Sequence, residues 1–119
     1  MTRRLLRVVL AEFGVGEGAS VALGRALRDD GVEVVYAGRL DTTEQLLRTV
    51  EQEDPDILGV VRGASEPEGL ADALPDVLLF AVGNGPSGFD NAFESLEEAA
   101  NWVSGVRSHT VESPSDRVR

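Results

Sequence analysis

Residues 5–36 read LLRVVLAEFGVGEGASVALGRALRDDGVEVVY, two apolar segments separated by a glycine-rich turn and an amphipathic segment. The first apolar segment, Leu5 to Ala11, is rich in branched residues, as expected for a strand that is buried on both faces. From Ala19 to Asp30, apolar residues recur at intervals of three and four, which predicts an amphipathic helix that ends at Gly31. Val32 to Tyr36 is a second strand. The stretch therefore predicts a strand–helix–strand unit.

The same alternation continues along the rest of the chain, and each later helix is predicted to begin with a side-chain cap. The pattern predicts a helix over residues 41–54, a strand over 57–61, a helix over 65–74, a strand over 77–82, an extended piece over 89–93 and a helix over 95–106. Alternation with short links predicts an α/β fold. We expect a flavodoxin-like, doubly wound parallel sheet of five strands in the order 2-1-3-4-5.

Length and charge limit the domain count and the class of partner. A chain of 119 residues is expected to form one domain. We place that domain over residues 1–107, followed by a disordered C-terminal tail over 108–119, where Ser, Pro and charged residues offer little to pack. The chain has no long apolar run and no signal peptide, so we expect a cytoplasmic protein that does not contact a membrane. The net charge of -10 argues against nucleic acid and suits either solubility alone or a basic partner surface.

The residue inventory removes most reaction classes. Without cysteine, the chain has no disulfide, thiolate nucleophile or zinc–thiolate site. All 11 basic residues are arginine, which excludes Schiff-base chemistry and a phosphate-loop lysine. The single histidine, His109, lies in the predicted tail. Carboxylates such as Glu12 and Glu17 could serve as acid and base, but in so acidic a chain we interpret them as solvated loop residues. We predict no catalytic residue and no metal site.

The sheet order predicts where a ligand would bind. In this order, ligands bind beyond the carboxyl ends of the strands, beside the switch point between the first and third strands. Those ends are residues 12–18, 62–65 and 83–88. The glycines of the first loop, Gly14, Gly16 and Gly18, either permit only a tight turn into the helix or retain an anion or cofactor contact at its amino end.

Two long segments carry a resemblance to a known family. Residues 8–39, VVLAEFGVGEGASVALGRALRDDGVEVVYAGR, resemble the opening of the cobalamin (vitamin B12) binding domain of methylmalonyl-CoA mutase and of related small mutase subunits. The similarity continues through residues 42–60, TTEQLLRTVEQEDPDILGV, and thus covers about half of the chain. Residues 95–103, SLEEAANWV, are similar to the family's last helix. The resemblance implies the same fold and, within the family, a bound cobalamin.

The departures from the family pattern bear on that cofactor. The family's first loop has an Asp-x-His-x-x-Gly signature, in which the histidine is the lower axial ligand of cobalt and the aspartate orients it. Gly18 matches the final glycine, but the loop is shorter and contains neither Asp nor His. After the third strand, Arg62 stands where the family has a serine-containing segment that holds the nucleotide tail, and Gly83-Asn84 matches a Gly-Gly turn. Arg62 either holds a carboxylate of a ligand or partner or offsets Glu12 and Glu66.

We therefore expect that no cofactor is bound, with cobalamin as the alternative. The contacts of any residual pocket would be Gly14, Gly16, Gly18, Arg62, Gly83 and Asn84. The family's next helix has no counterpart, because too few residues separate Gly85 from Phe89. One helix of the fold is thus shortened or lost, and the open side near Phe89, Phe93 and Trp102 is a predicted partner interface.

Two functions fit these expectations. The first is a non-catalytic auxiliary or regulatory subunit that keeps a cobalamin-binding-like fold and docks on a larger biosynthetic or mutase-like enzyme. The second is a cobalamin-binding small subunit of a CoA mutase or methyltransferase system that holds the cofactor without a protein histidine. A homodimer through the shortened side is the other assembly that we consider.

Overall fold

The computed structural model describes residues 5–14, 18, 20–63, 65–83 and 87–117, with side chains as far as Arg107. In chain order the elements are β1 (Arg7–Phe13), α1 (Val21–Asp29), β2 (Glu33–Leu40), α2 (Thr43–Glu53), β3 (Ile57–Arg62), α3 (Leu70–Ala73), β4 (Leu78–Val82), β5 (Ala92–Phe93) and α4 (Leu96–Arg117). Strand and helix alternate up to β4, as the sequence predicts.

The five strands form one parallel sheet in the order β2-β1-β3-β4-β5, which confirms the predicted fold class. The central strand β1 pairs with β2 on one side and β3 on the other, so that Val8 lies between Val34 and Ile57. The pairing of β1 with β2 shifts register between Leu10 and Ala11. Because the chain leaves β1 toward one edge and returns at β3 toward the other, the switch point lies between their carboxyl ends.

The sheet separates two apolar layers, because successive side chains of a strand point to opposite faces. Val8 and Leu10 of β1 belong to the layer that contains buried residues of α1 and α4. Val9, Ala11 and Phe13 belong to the other layer, with buried residues of α2 and α3. All six residues of β3 are buried, as expected for a strand covered on both faces. Helices on both faces thus cover the central strands of the sheet.

Two helices begin or end close to the predicted positions. Gly31 follows α1 at a φ of 89°, in the left-handed region that glycine adopts without strain. The cap of α2 lies one residue later than the predicted box. The Thr42 side chain accepts a hydrogen bond from the Gln45 backbone N–H, and the Gln45 side chain accepts one from the Thr42 N–H. The Asp41–Glu44 pair predicted for this box does not form the cap.

The helix predicted over residues 65–74 is much shorter. It spans only Leu70–Ala73 and begins after Gly69, which has a φ of 74° and offers no side-chain cap. The capping box predicted at Ser65 is therefore wrong. Its physical reason is a competing set of tertiary contacts: the Glu66 carboxylate accepts hydrogen bonds from Ser87 and Gly88, which hold this segment as a loop.

The end of the chain differs in part from the expectation. The described residues between β4 and β5 (83 and 87–91) contain no helix, as predicted. The Ser95 hydroxyl accepts a hydrogen bond from the Glu98 N–H and starts α4 where the sequence places it. The helix continues through residues 108–117, and the division of the chain at residue 107 stays a prediction. Within the described residues, no helix combines the length and the apolar composition that crossing a bilayer requires.

Candidate ligand site at the switch point

The loops that follow β1 and β3 touch each other at the switch point. The Gly63 N–H donates to the Phe13 carbonyl at 3.2 Å. Gly14 has a φ of 67°, and a Cβ on Gly14 would lie 3.2 Å from Ser65 Oγ. The backbone angle favours glycine here, and the Ser65 side chain would have to shift slightly to admit a larger residue. The beginning of the first loop therefore packs against the loop after β3.

Arg62, the last residue of β3, lies buried at the same edge of the sheet. Only 7% of the residue is exposed. Its side chain crosses the start of the loop after β4, because a Cβ on Gly83 would lie 2.9 Å from Arg62 Cγ. Because Gly83 has no side chain, the Arg62 side chain can lie against its backbone. Two of the predicted pocket residues, Arg62 and Gly83, pack directly on each other.

Glu66 completes a charged pair with Arg62, which we call the Arg62–Glu66 clamp. Arg62 Nε lies 3.3 Å from Glu66 Oε1, and the two side chains are 4% and 22% exposed. Glu66 also accepts hydrogen bonds from Ser87 Oγ at 2.6 Å and from the Gly88 N–H at 2.7 Å. Burial reduces the screening of these contacts by water. The clamp joins the loop after β3 to the loop after β4.

Glu12 is a second buried carboxylate near the switch point, and only 4% of the residue is exposed. Its Oε2 accepts hydrogen bonds from the Ser20 N–H at 2.9 Å and from Ser20 Oγ at 3.0 Å. The interpretation of Glu12 as a solvated loop residue is therefore wrong, and Glu17 lies outside the described residues. Ser20 immediately precedes α1, so Glu12 places a negative charge at the end of the helix that attracts anions.

Of the six predicted pocket residues, Arg62 and Gly83 pack against each other, whereas Gly14 contacts Ser65 in the loop after β3. Gly18 has a φ of 84°, and a Cβ there would meet nothing within 4 Å, so its backbone angle alone favours glycine. Gly16 and Asn84 lie outside the described residues. Sequence reasoning named Glu66 as a counterion of Arg62 but missed Ser87, which had no signal beyond its place in a glycine-rich loop.

The three aromatic residues of the predicted interface lie on different faces of the sheet. Phe93 and Trp102 are partly buried and pack with Phe80, with ring centroids 5.6–6.3 Å apart. Phe89 is 8% exposed and belongs to the opposite layer. Phe93 and Trp102 therefore form one cluster, and Phe89 contributes to a separate surface. That these surfaces bind a partner stays a prediction.

The described residues contain no group of three or more acidic or histidine side chains placed to hold a metal ion. The carboxylates that do lie at the switch point, Glu12 and Glu66, are each engaged by hydrogen bonds from the chain itself. Their arrangement stabilises loops, and it brings no acid–base pair to a common substrate position.

No family model matches the chain. It is 44% identical over 62 residues to the 2-hydroxyisobutanoyl-CoA mutase small subunit of Aquincola tertiaricarbonis, a match that covers 50% of this chain and 46% of the relative. The chain therefore spans less than half the length of that relative.

Solved structures are similar to the chain over most of its length. A cobalamin-binding protein from Desulfitobacterium hafniense DCB-2 has a TM-score of 0.69 at 14% identity, over 86% of this chain and 59% of that one. The methanol:cobalamin methyltransferase complex of Methanosarcina barkeri has a TM-score of 0.64 at 17% identity, over 87% of this chain and 47% of that one. At such identities the likeness shows the fold alone.

These comparisons confirm the family resemblance read from the sequence. The 62-residue match is to the small subunit of a CoA mutase, and two solved structures described as cobalamin proteins share the fold. The chain resembles a CoA mutase small subunit over half of its length and has the fold of cobalamin-binding proteins over most of it.

Proposed function

We propose that this chain is a non-catalytic accessory subunit that keeps a cobalamin-binding fold, docks on a larger enzyme subunit and holds no corrinoid. One observation carries the proposal: beside the switch point, the carboxyl edge of the sheet is occupied by the Arg62–Glu66 clamp, a charged pair of the chain's own. In this sheet order, that edge is where a ligand would lie. Arg62 is 7% exposed and packs on Gly83, so the clamp takes up space that a ligand would need.

The described residues do not fit a cobalamin. The axial ligand of the family is a histidine in the first loop, whereas the only histidine of this sequence is His109, on the C-terminal helix. The family's serine-containing segment is replaced by buried Arg62. Glu12 places a carboxylate at the amino end of α1, where it would repel the phosphate of a nucleotide tail. We therefore assign no chemical step to a corrinoid on this chain.

A heteromeric partner is supported by the relative and by the charge of the chain. The relative from Aquincola tertiaricarbonis is named a small subunit, a description that implies a larger one in its complex. This chain has a net charge of -10, which favours association with a basic surface. It carries no cluster of side chains arranged for catalysis among the described residues, so the reaction would belong to the partner.

Co-purification tests the accessory role. The tagged chain should be expressed at its native level in its own cells and purified at low salt, with an equally tagged, unrelated acidic protein as the control. We expect one larger polypeptide to co-purify with this chain at a fixed ratio, and to dissociate at high salt because screening weakens charged contacts. Recovery of the chain alone, or of the same polypeptides as with the control, would contradict the proposal.

A second candidate function is a cobalamin-binding small subunit without a protein histidine ligand. It is favoured by the 44% identity over 62 residues to a mutase small subunit. The visible spectrum separates the two candidates. Purified chain would be mixed with hydroxocobalamin and passed through gel filtration, and a corrinoid spectrum that elutes with the protein would favour this second function.

A further inference from the structure

The charges of this chain are distributed unevenly between its two halves. Residues 63–106 contain eight acidic residues and no lysine or arginine: Glu66, Glu68, Asp72, Asp76, Asp90, Glu94, Glu97 and Glu98. This part of the chain, residues 63–106, includes α3, β4, β5 and the start of α4. β4 and β5 lie at one edge of the sheet. The exposed arginines of α1, β2 and α2 lie toward the other edge. One side of the molecule therefore carries an excess of negative charge, although Arg62 pairs with Glu66 there.

A groove opens within this acidic side, between α3 and the loop that leads to β5. It has a volume of about 610 Å³, and we call it the α3 groove. Buried apolar residues form its floor, namely Pro67, Leu70 and Phe89. Carboxylates form its rim, namely Glu66, Glu68 and Asp72. The groove thus combines an apolar floor with an anionic border.

Two of the three rim carboxylates carry charge that no ion pair with a described residue neutralises. Glu68 and Asp72 are exposed, and neither forms an ion pair within the part of the chain that the structure describes. On α2, by contrast, the exposed Glu44 pairs with Arg48 at 3.6 Å. A cation at the α3 groove would therefore gain attraction to two free carboxylates without displacing an arginine of the chain.

The groove also lies where the fold has a gap in its helical layer. Helices follow β1, β2 and β3, but the described residues between β4 and β5 form no helix. The groove is lined by Gly88 and Phe89 of that link, on the same side of the sheet as α3. A segment of another protein could occupy this position without displacing any helix or strand that the structure describes.

We propose that the α3 groove binds an arginine-bearing segment of the partner subunit, a proposal that rests on the accessory role described above. Arginine suits both parts of the groove, because its apolar stem can pack on Leu70 and Phe89 while its guanidinium donates to carboxylates of the rim. Lysine suits it less, since its ammonium is a compact and strongly hydrated charge that cannot donate in a planar fork. If charge alone attracted the segment, arginine and lysine would bind equally well. A preference for arginine would therefore indicate contacts with the groove itself.

A peptide titration followed by NMR tests the proposal without knowledge of the partner. The probes are penta-arginine and penta-lysine, added to the ¹⁵N-labelled full chain at low salt. Two double variants remove the same charge: Glu68→Gln with Asp72→Asn at the groove, and Glu44→Gln with Glu51→Gln on α2. Circular dichroism of each variant checks that it is folded.

We expect the shifts caused by penta-arginine to concentrate on the amides of residues 65–72 and 88–89. The groove variant should weaken its binding about fivefold to tenfold, as the loss of two exposed ion pairs predicts. The α2 variant should weaken it less than about twofold, since the groove contacts remain. Penta-lysine should bind more weakly than penta-arginine to the unchanged protein.

The proposal would be overturned if penta-arginine did not bind, if the shifts spread evenly over all acidic surfaces, or if the two double variants lost equal affinity. Equal affinity for the two peptides would overturn it as well, because charge alone would then explain binding. These results leave the accessory role to its own tests, since corrinoid binding and recovery of a larger subunit do not depend on the peptides.

Discussion

Replacing Arg62 with Met and Glu66 with Gln, singly and together, measures how strongly the two charged side chains of the clamp are coupled. The change in the free energy of unfolding for the double variant, compared with the sum of the two single changes, gives the coupling between the side chains. Both replacements keep approximate side-chain volume, so they remove charge with little loss of packing. A structural clamp requires a coupling that an ordinary surface ion pair does not have.

The expected magnitude follows from distance and burial. Arg62 Nε and Glu66 Oε1 are 3.3 Å apart, and the side chains are 4% and 22% exposed. Contacting residues within one charged network couple by about 0.5–3 kcal/mol, and because this pair is largely buried we expect a value above about 1 kcal/mol. Each single change should cost about 2–4 kcal/mol, because it leaves the other charge in a largely buried position. Glu66→Gln also removes the negative charge that accepts hydrogen bonds from Ser87 and Gly88, so these two bonds should weaken.

Urea unfolding provides the assay, and the fluorescence of Trp102, the only tryptophan, provides its signal. Trp102 packs 5.6 Å from the ring of Phe80 in the core, so unfolding will change its surroundings. The matched control is the same cycle on Glu44 and Arg48, a pair 3.6 Å apart with side chains 82% and 65% exposed, for which we expect about 0.3–0.5 kcal/mol. A coupling between Arg62 and Glu66 no larger than that of the control would refute the clamp.

Two further pairs of variants test local packing and capping by the same unfolding assay. Gly59→Ala should lower the free energy of unfolding by about 1–3 kcal/mol, because the added methyl would overlap the buried ring of Phe80. Gly105→Ala should raise the free energy of unfolding by about 0.5–1 kcal/mol, since that exposed helical position has open space around it. Equal effects of the two glycine changes would contradict the close packing of β3 on β4. Thr42→Ala should cost about 1 kcal/mol through loss of the α2 cap, and Asp41→Ala less than about 0.5 kcal/mol; the reverse order would place the cap at Asp41.

Much of the fold could be predicted from the sequence because burial on both faces leaves a simple pattern. The continuous apolar runs that became β1 and β3 suit only strands covered by helices on both sides, and alternation with amphipathic segments then favours a parallel sheet. Gly31 marked the end of α1 correctly, since the left-handed angle there favours glycine on local grounds.

The errors occurred where contacts distant in the sequence outweigh local preferences. Ser65 and Glu68 have the spacing of a helix cap, yet Glu66 forms hydrogen bonds with residues 21 and 22 positions away, and these hold the segment as a loop. Ser20 donates two hydrogen bonds to the buried Glu12 carboxylate. The two residues lie eight positions apart across a loop, and local propensity does not predict that they meet. Phe89 precedes a strand of only two residues, too short for its pattern to assign a face of the sheet.

The sheet order that places the candidate site could be predicted from the sequence, but the side-chain contacts at that edge could not. Topology alone places the carboxyl ends of β1 and β3 beside each other. That Arg62 would turn inward onto Gly83, with Glu66 as its partner, depends on side-chain packing between two loops. Two of the residues predicted to line a pocket, Arg62 and Gly83, therefore pack on each other in the structure.

Binding of hydroxocobalamin to the isolated chain tests the central claim most directly. In equilibrium dialysis at a saturating corrinoid concentration, visible absorbance measures the corrinoid bound per chain, and a small subunit with an intact Asp-x-His-x-x-Gly loop serves as the positive control. The Arg62–Glu66 clamp and the absence of a loop histidine predict no corrinoid above the level that a protein of unrelated fold retains. One corrinoid bound per chain, with a spectrum changed from that of the free cofactor, would contradict the account.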